Sequence, residues 1–161
     1  MTTNSTQNLG ETMKIVINTC FGGFGLSYAA VMMYAELKGI KLYPEVDDIC
    51  KKVYGEKATL DNPSSMVHYY KVPPEQYKEC SEKWCKEDGD CGRINSMDWY
   101  FSKKDIPRGD PDLIKVVKKL GKKANGRCAE LSIVEVPDGI EWKIDEYDGN
   151  ESIDEKHRTW R

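Results

Sequence analysis

The sequence predicts a single domain of α/β or α+β class, built on a mixed sheet, and three observations carry that prediction. Residues 14–19 form a nearly continuous β-branched run, two later stretches repeat apolar residues at helical spacing, and two alternating segments near the carboxyl end flank a turn sequence. A chain of 161 residues with 39% hydrophobic and 32% charged residues suits one compact unit, because a domain of about 150 residues buries roughly two thirds of its unfolded surface.

The elements follow in order. Residues 1–12 are polar, lack an apolar period and are expected to be a flexible leader before a domain spanning residues 13–161. Ile15, Val16 and Ile17 have the character of an inner strand covered on both faces. A glycine-rich break, Phe21-Gly22-Gly23-Phe24-Gly25, separates that strand from a helix capped by Ser27, carrying Val31, Met32, Ala35 and Leu37 and ending at Gly39. Val46, Ile49, Cys50 and Val53 suggest a short helix stopped by Gly55, and residues 66–70 a strand after a turn around Asp61-Asn62-Pro63. Residues 73–105 are polar and turn-rich, and are expected to form a variable insertion or lid outside the core.

The second half is more regular. Asp110-Pro111 is an N-cap followed by a first-turn proline, and Leu113, Ile114, Val116, Val117 and Leu120 mark the apolar face of a helix that stops at Gly121. Residues 128–136 and 140–147 read as strands around Pro137-Asp138-Gly139, which predicts a carboxyl-terminal β-hairpin. Trp142 and Ile144 alternate with charged residues, so one face is buried and the other wet.

Charge and cysteine content narrow the function classes. A net charge of -3 argues against a protein that neutralises many phosphates of a long nucleic acid. No apolar run approaches the roughly 18 residues of a membrane span, and the amino end has no apolar signal core, so a cytosolic location is expected. Of six cysteines, Cys80, Cys85 and Cys91 have a spacing unlike paired zinc motifs, with His68 and His157 remote in sequence. Free thiols and no metal are expected, with Cys20 a small buried group.

The glycine loop is the main candidate site. The first amides of a helix lack intrahelical partners, and glycines let a ligand approach the backbone, so a phosphate or carboxylate could sit at Gly22, Gly23, Gly25 and Ser27. The loop has neither a P-loop ending nor a G-x-G-x-x-G pattern, so nucleotide hydrolysis does not follow from it. Phe21 and Phe24 could stack on a base or plug the end of the sheet, and a tight turn with two core phenylalanines is the competing reading. Arg108, His157, Arg158 and Trp160 could supply counter-charge and stacking if the fold brings them near, although docking of the terminus onto the domain is the favoured reading of Trp160.

Four stretches, MKIVINTCFGGFGLS, DIPRGDPDLIKVVKKLG, ANGRCAELSIVEVPDGIEWKIDEYDG and EKHRTW, resemble a family of small tailed-bacteriophage and prophage proteins. The resemblance covers about residues 13–42 and 106–160 and leaves out the cysteine-bearing middle. It implies phage origin and expression in the cytoplasm of an infected bacterium, and brings no catalytic residues with it. Among phage accessory proteins, sponges hold nucleotide immune signals without cleaving them, and the amides, arginines and aromatics here suit that role. The expectation is therefore a non-catalytic, homo-oligomeric binder of a cyclic oligonucleotide or ADP-ribose-type signal, with no cofactor. Blockade of a host protein by surface contact is the alternative, and a small-molecule-modifying enzyme ranks third.

Overall fold

The computed structural model describes residues 12–76 and 99–156. Along the chain lie β1 (Thr12–Asn18), α1 (Tyr28–Leu37), β2 (Tyr43–Val46), α2 (Asp48–Tyr54), β3 (Val67–Tyr70), α3 (Pro111–Leu120), β4 (Leu131–Pro137), β5 (Trp142–Tyr147) and β6 (Asn150–Glu155). The fold is α+β. Among the described residues the strands form three antiparallel pairs, β1 with β4, β2 with β3 and β5 with β6, in place of the expected single mixed sheet. The reason is topological: α1 leads into the separate β2–β3 pair, so no parallel strand is laid beside β1.

β1 is the centre of the molecule, as its apolar run requires. Ile15 and Val16 are fully buried, and alternation sends them to opposite faces. Val16 joins a core with Val31, Leu113 and Val116 from α1 and α3, while Ile15 and Ile17 pack with Val136, Trp142 and Ile153. One edge of β1 pairs with β4 from Thr12↔Pro137 to Asn18↔Leu131, and at the other the Val16 amide donates to the Arg108 carbonyl at 2.9 Å.

Both long helices begin where their caps predict. The Ser27 hydroxyl accepts from the Ala30 amide at 3.1 Å, and Asp110 accepts from the Asp112 amide at 2.8 Å ahead of a proline in the first turn. Lys38, just past α1, reaches Asp110 and Asp112 at 2.9 Å each, and the Tyr34 hydroxyl donates to Asp110 at 3.0 Å. The carboxyl end of α1 is thereby tied to the amino end of α3 with the charge signs that suit both helix dipoles.

Two further expectations are corrected. The carboxyl-terminal hairpin exists, but it is β5–β6, closed by Asp148 at φ 51° and Gly149 at φ 84°, with Tyr147 paired to Asn150. Two central residues at positive φ give the turn whose twist matches paired strands. A two-residue loop at Asp138-Gly139 would instead have needed an N–H from Pro137, which proline lacks. β4 takes β1 as its partner, with Val134 opposite Ile15. The second correction concerns the supposed insertion. Its residues 77–98 lie outside the described residues, yet Phe101 is buried in the main core and its amide donates to the Tyr69 carbonyl at 2.8 Å. Residues 99–105 thus belong to the domain body.

The middle helix differs in detail from expectation. Val46 ends β2 and is buried, whereas α2, capped by Asp47 and stopped at Gly55, buries none of its residues. Beside it the Ser65 hydroxyl is buried without a hydrogen-bond partner among the described residues. Because a buried unsatisfied hydroxyl costs about 1 to 3 kcal/mol, Ser65→Ala should leave stability unchanged or raise it by about 1 kcal/mol in urea unfolding.

Candidate functional site

The glycine loop after β1 holds its own chain. Gly22 lies so close to the Cys128 carbonyl that any Cβ there would overlap it. The Gly126 amide donates to the Gly25 carbonyl at 2.9 Å, and a Cβ on Gly126 would come within 2.8 Å of Gly25 backbone. On the other side, a Cβ at Gly149 of the hairpin turn would collide with the Gly23 amide nitrogen. Gly22, Gly126 and Gly149 are required here for backbone-on-backbone packing, so segments 126–128 and 148–149 lie against the loop where the phosphate seat was expected.

The residues expected to serve that seat are likewise committed elsewhere. Arg108 makes a bidentate pair with Glu151, at 3.0 and 2.8 Å, and its guanidinium lies 3.3 Å over the Phe24 ring centre. Glu151 also accepts from the Asn18 amide at 2.8 Å. The fully buried Asn18 side chain accepts from the Glu130 amide at 2.7 Å and donates to the carbonyls of Cys20 and Gly149. This knot fastens β6 and the glycine loop to β1, and it leaves Arg108 without charge to spare for a ligand. The ring of Phe24 is covered by Arg108, while Phe21 is 70% exposed. Cys20 is half-buried, with its thiol 3.1 Å from the Cys128 carbonyl. His157, Arg158 and Trp160 lie outside the described residues, as do Cys80, Cys85 and Cys91.

Of the predicted site residues, Ser27 borders a real cavity, and it does so from the far end of the loop. The cavity has a volume of about 380 Å³ and is lined by the start of α1 (Ser27, Tyr28), by α2 (Ile49, Cys50, Val53, Tyr54), by residues 60–67, and by Lys103, Asn125, Gly126 and Arg127. The Ser27 amide donates to the Ala124 carbonyl at 2.9 Å and its hydroxyl to the Lys123 carbonyl at 2.7 Å. These bonds seat the first turn of α1 beside segment 125–127.

The electrostatics of this cavity are one-sided. Among the described residues Lys103 and Arg127 are its cations and Asp61 its only carboxylate, and the amino end of the ten-residue α1 adds positive partial charge. Neither cation has a salt-bridge or hydrogen-bond partner for its side chain among the described residues. Burial pushes the Lys103 ammonium below the ordinary lysine range, and the nearby Lys104 adds to the effect. An ammonium removed from water without a counter-ion is costly, and an anion in the cavity would offset that cost. No protein-family model, curated protein or solved structure matches the chain.

Lys103, Arg127, Tyr28 and the α2 wall were not singled out by sequence reasoning. One local cue existed, since Ile49 and Val53 lie one helical turn apart on a short helix with few other apolar residues. For Lys103 no cue existed: it is one of 24 Lys and Arg residues, and only its tertiary surroundings set it apart. Among the described residues no group of three or more His, Cys, Asp or Glu side chains is placed to hold a metal, and no helix is long and apolar enough to cross a membrane.

Proposed function

We propose that this protein binds a phosphate-bearing nucleotide in the cavity at the amino end of α1 and releases it chemically unchanged. Given the resemblance to phage proteins, the proposed role is to sequester a nucleotide signal of host antiphage defence. The observation that carries the binding reading is Lys103, a partly buried ammonium with no counter-ion among the described residues, lining a cavity of about 380 Å³. Pockets for small ligands run from about 300 to 1,000 Å³ and combine an apolar lining with a few polar groups. Asn125 and Arg127 supply polar groups here, and Ile49, Val53 and Met66 supply apolar surface.

Calorimetry against nucleotides, with recovery of the ligand and its mass afterwards, tests the reading. Lys103→Met should weaken binding by about 1.5 to 3 kcal/mol, the worth of a hydrogen bond to a charged group. The pH dependence has a definite sign. Lys103 contributes only while protonated, so affinity should fall as pH rises through its depressed pKa, before the ordinary lysine range is reached. The Lys103→Met protein should lack that alkaline fall. Binding no tighter than about millimolar across the panel, roughly 4 kcal/mol, would reject a nucleotide ligand. Recovery of a cleaved ligand would make the protein an enzyme instead.

Blockade of a host protein is favoured by a different observation, the exposure of Ile49, Val53 and Met66 on one side of the domain. That reading predicts no nucleotide affinity and a stable complex with a protein from the infected host.

A further inference from the structure

We infer that the cavity accepts one nucleotide unit, with the phosphate at the start of α1 beside Lys103 and the base against the apolar face of α2, which closes over it as a lid. This rests on the nucleotide reading above and narrows it, because a cyclic dinucleotide or longer signal would not be contained.

Size is the first argument. At about 380 Å³ the cavity stands near the lower end of the range for small-ligand sites, enough for one base, one sugar and a phosphate. Polarity is the second. The cations lie at residues 103 and 127 beside Tyr28 at the amino end of α1, whereas Ile49 and Val53 come from α2. A ligand spanning these walls needs one anionic end and one flat apolar end.

The state of α2 is the third argument. Ile49 is 69% and Val53 67% exposed, although both line the cavity, so the apolar face of this helix is left without a covering partner among the described residues. The helix is instead held near its ends. Asp47 caps it and pairs with His68 at 3.0 Å, the Cys50 thiol sulfur accepts from the Met66 amide at 3.2 Å, and Gly55 stops it at φ 54°, a conformation suited to a pivot. Seating a base on Ile49 and Val53 would remove their side chains from water and bring α2 down over the cavity.

The test uses the full chain with adenosine, guanosine, cytidine and uridine 5′-monophosphates, the matching nucleosides, ribose 5-phosphate and cyclic di-adenosine monophosphate. Titration calorimetry should find at least one mononucleotide bound more tightly than its nucleoside and than ribose 5-phosphate. Hydrogen exchange of residues 49–55 should slow when it binds. Ile49→Ser and Val53→Ser alter exposed positions, so folding should survive; each should weaken the mononucleotide about tenfold, the worth of a buried aliphatic contact, and leave ribose 5-phosphate unchanged. The inference is overturned if the cyclic dinucleotide binds and the mononucleotides do not, or if both serine variants bind the mononucleotide as well as the natural protein. Unchanged exchange in residues 49–55 on saturation would overturn the lid. If no phosphate-bearing ligand binds at all, it is the nucleotide reading itself that fails.

Discussion

Glu151→Ala should destabilise the protein by about 3 to 5 kcal/mol, the usual result of removing one member of a buried ion pair. The Glu151 side chain is 4% exposed, and its two oxygens take both arms of the Arg108 guanidinium and the Asn18 amide. Truncation leaves a largely buried guanidinium with only a 3.4 Å contact to the Val16 carbonyl, and strips the Asn18 N–H of its acceptor. Against a typical stability of about 5 to 15 kcal/mol, the loss is a large share of the total. Urea unfolding measures it, and the double variant Arg108→Met with Glu151→Ala is the control. Because the double variant removes the orphaned charge, it should be more stable than Glu151→Ala alone. A loss below about 1 kcal/mol in the single variant would mean that water reaches the pair and that the knot contributes little.

Gly22→Val should prove similarly damaging, at about 3 kcal/mol or more, or prevent folding at about 37 °C. A side chain at Gly22 would run into the Cys128 carbonyl and Cβ, which belong to an opposing stretch of main chain and not to the far end of a flexible side chain. Relief requires separating the loop from segment 126–128, which would also disturb the Gly126 to Gly25 hydrogen bond. Gly23 is the internal comparison. It has φ 82°, and a Cβ there would meet nothing within 4 Å, so Gly23→Ala should cost only about 1 to 2 kcal/mol of backbone strain. Thermal melting of the two variants side by side distinguishes a packing role from a conformational one. Equal, small losses at both positions would show that the loop can move away from Cys128.

Local chemistry was enough for several elements. The β-branched residues 15–17 specify a strand that must be covered on both sides, and the structure covers it with helices on one face and the hairpin on the other. Ser27, Asp110-Pro111 and Gly121 mark helix ends because capping depends on atoms within about four residues, all legible in sequence. The alternation of Trp142 and Ile144 with charged neighbours also survives folding, with both half-buried and residues 141, 143 and 145 exposed.

Partners were decided by the tertiary structure. Two Asp-Gly turn sequences, at residues 138–139 and 148–149, lie in the carboxyl-terminal part of the chain, and long-range pairing of β4 with β1 leaves Asp148-Gly149 to close the hairpin. The glycine loop could have cradled an anion by its composition, but a backbone's neighbour at residue 128 or 149 cannot be read from residues 21–25. Charge shows the same division. Arg108 and Lys103 are both plain cations in sequence, yet folding pairs the first with Glu151 and leaves the second at a cavity wall without a counter-ion among the described residues. Secondary structure follows from interactions between near neighbours, whereas the availability of a charge or an amide depends on groups far along the chain, such as the 43 residues that separate Arg108 from Glu151.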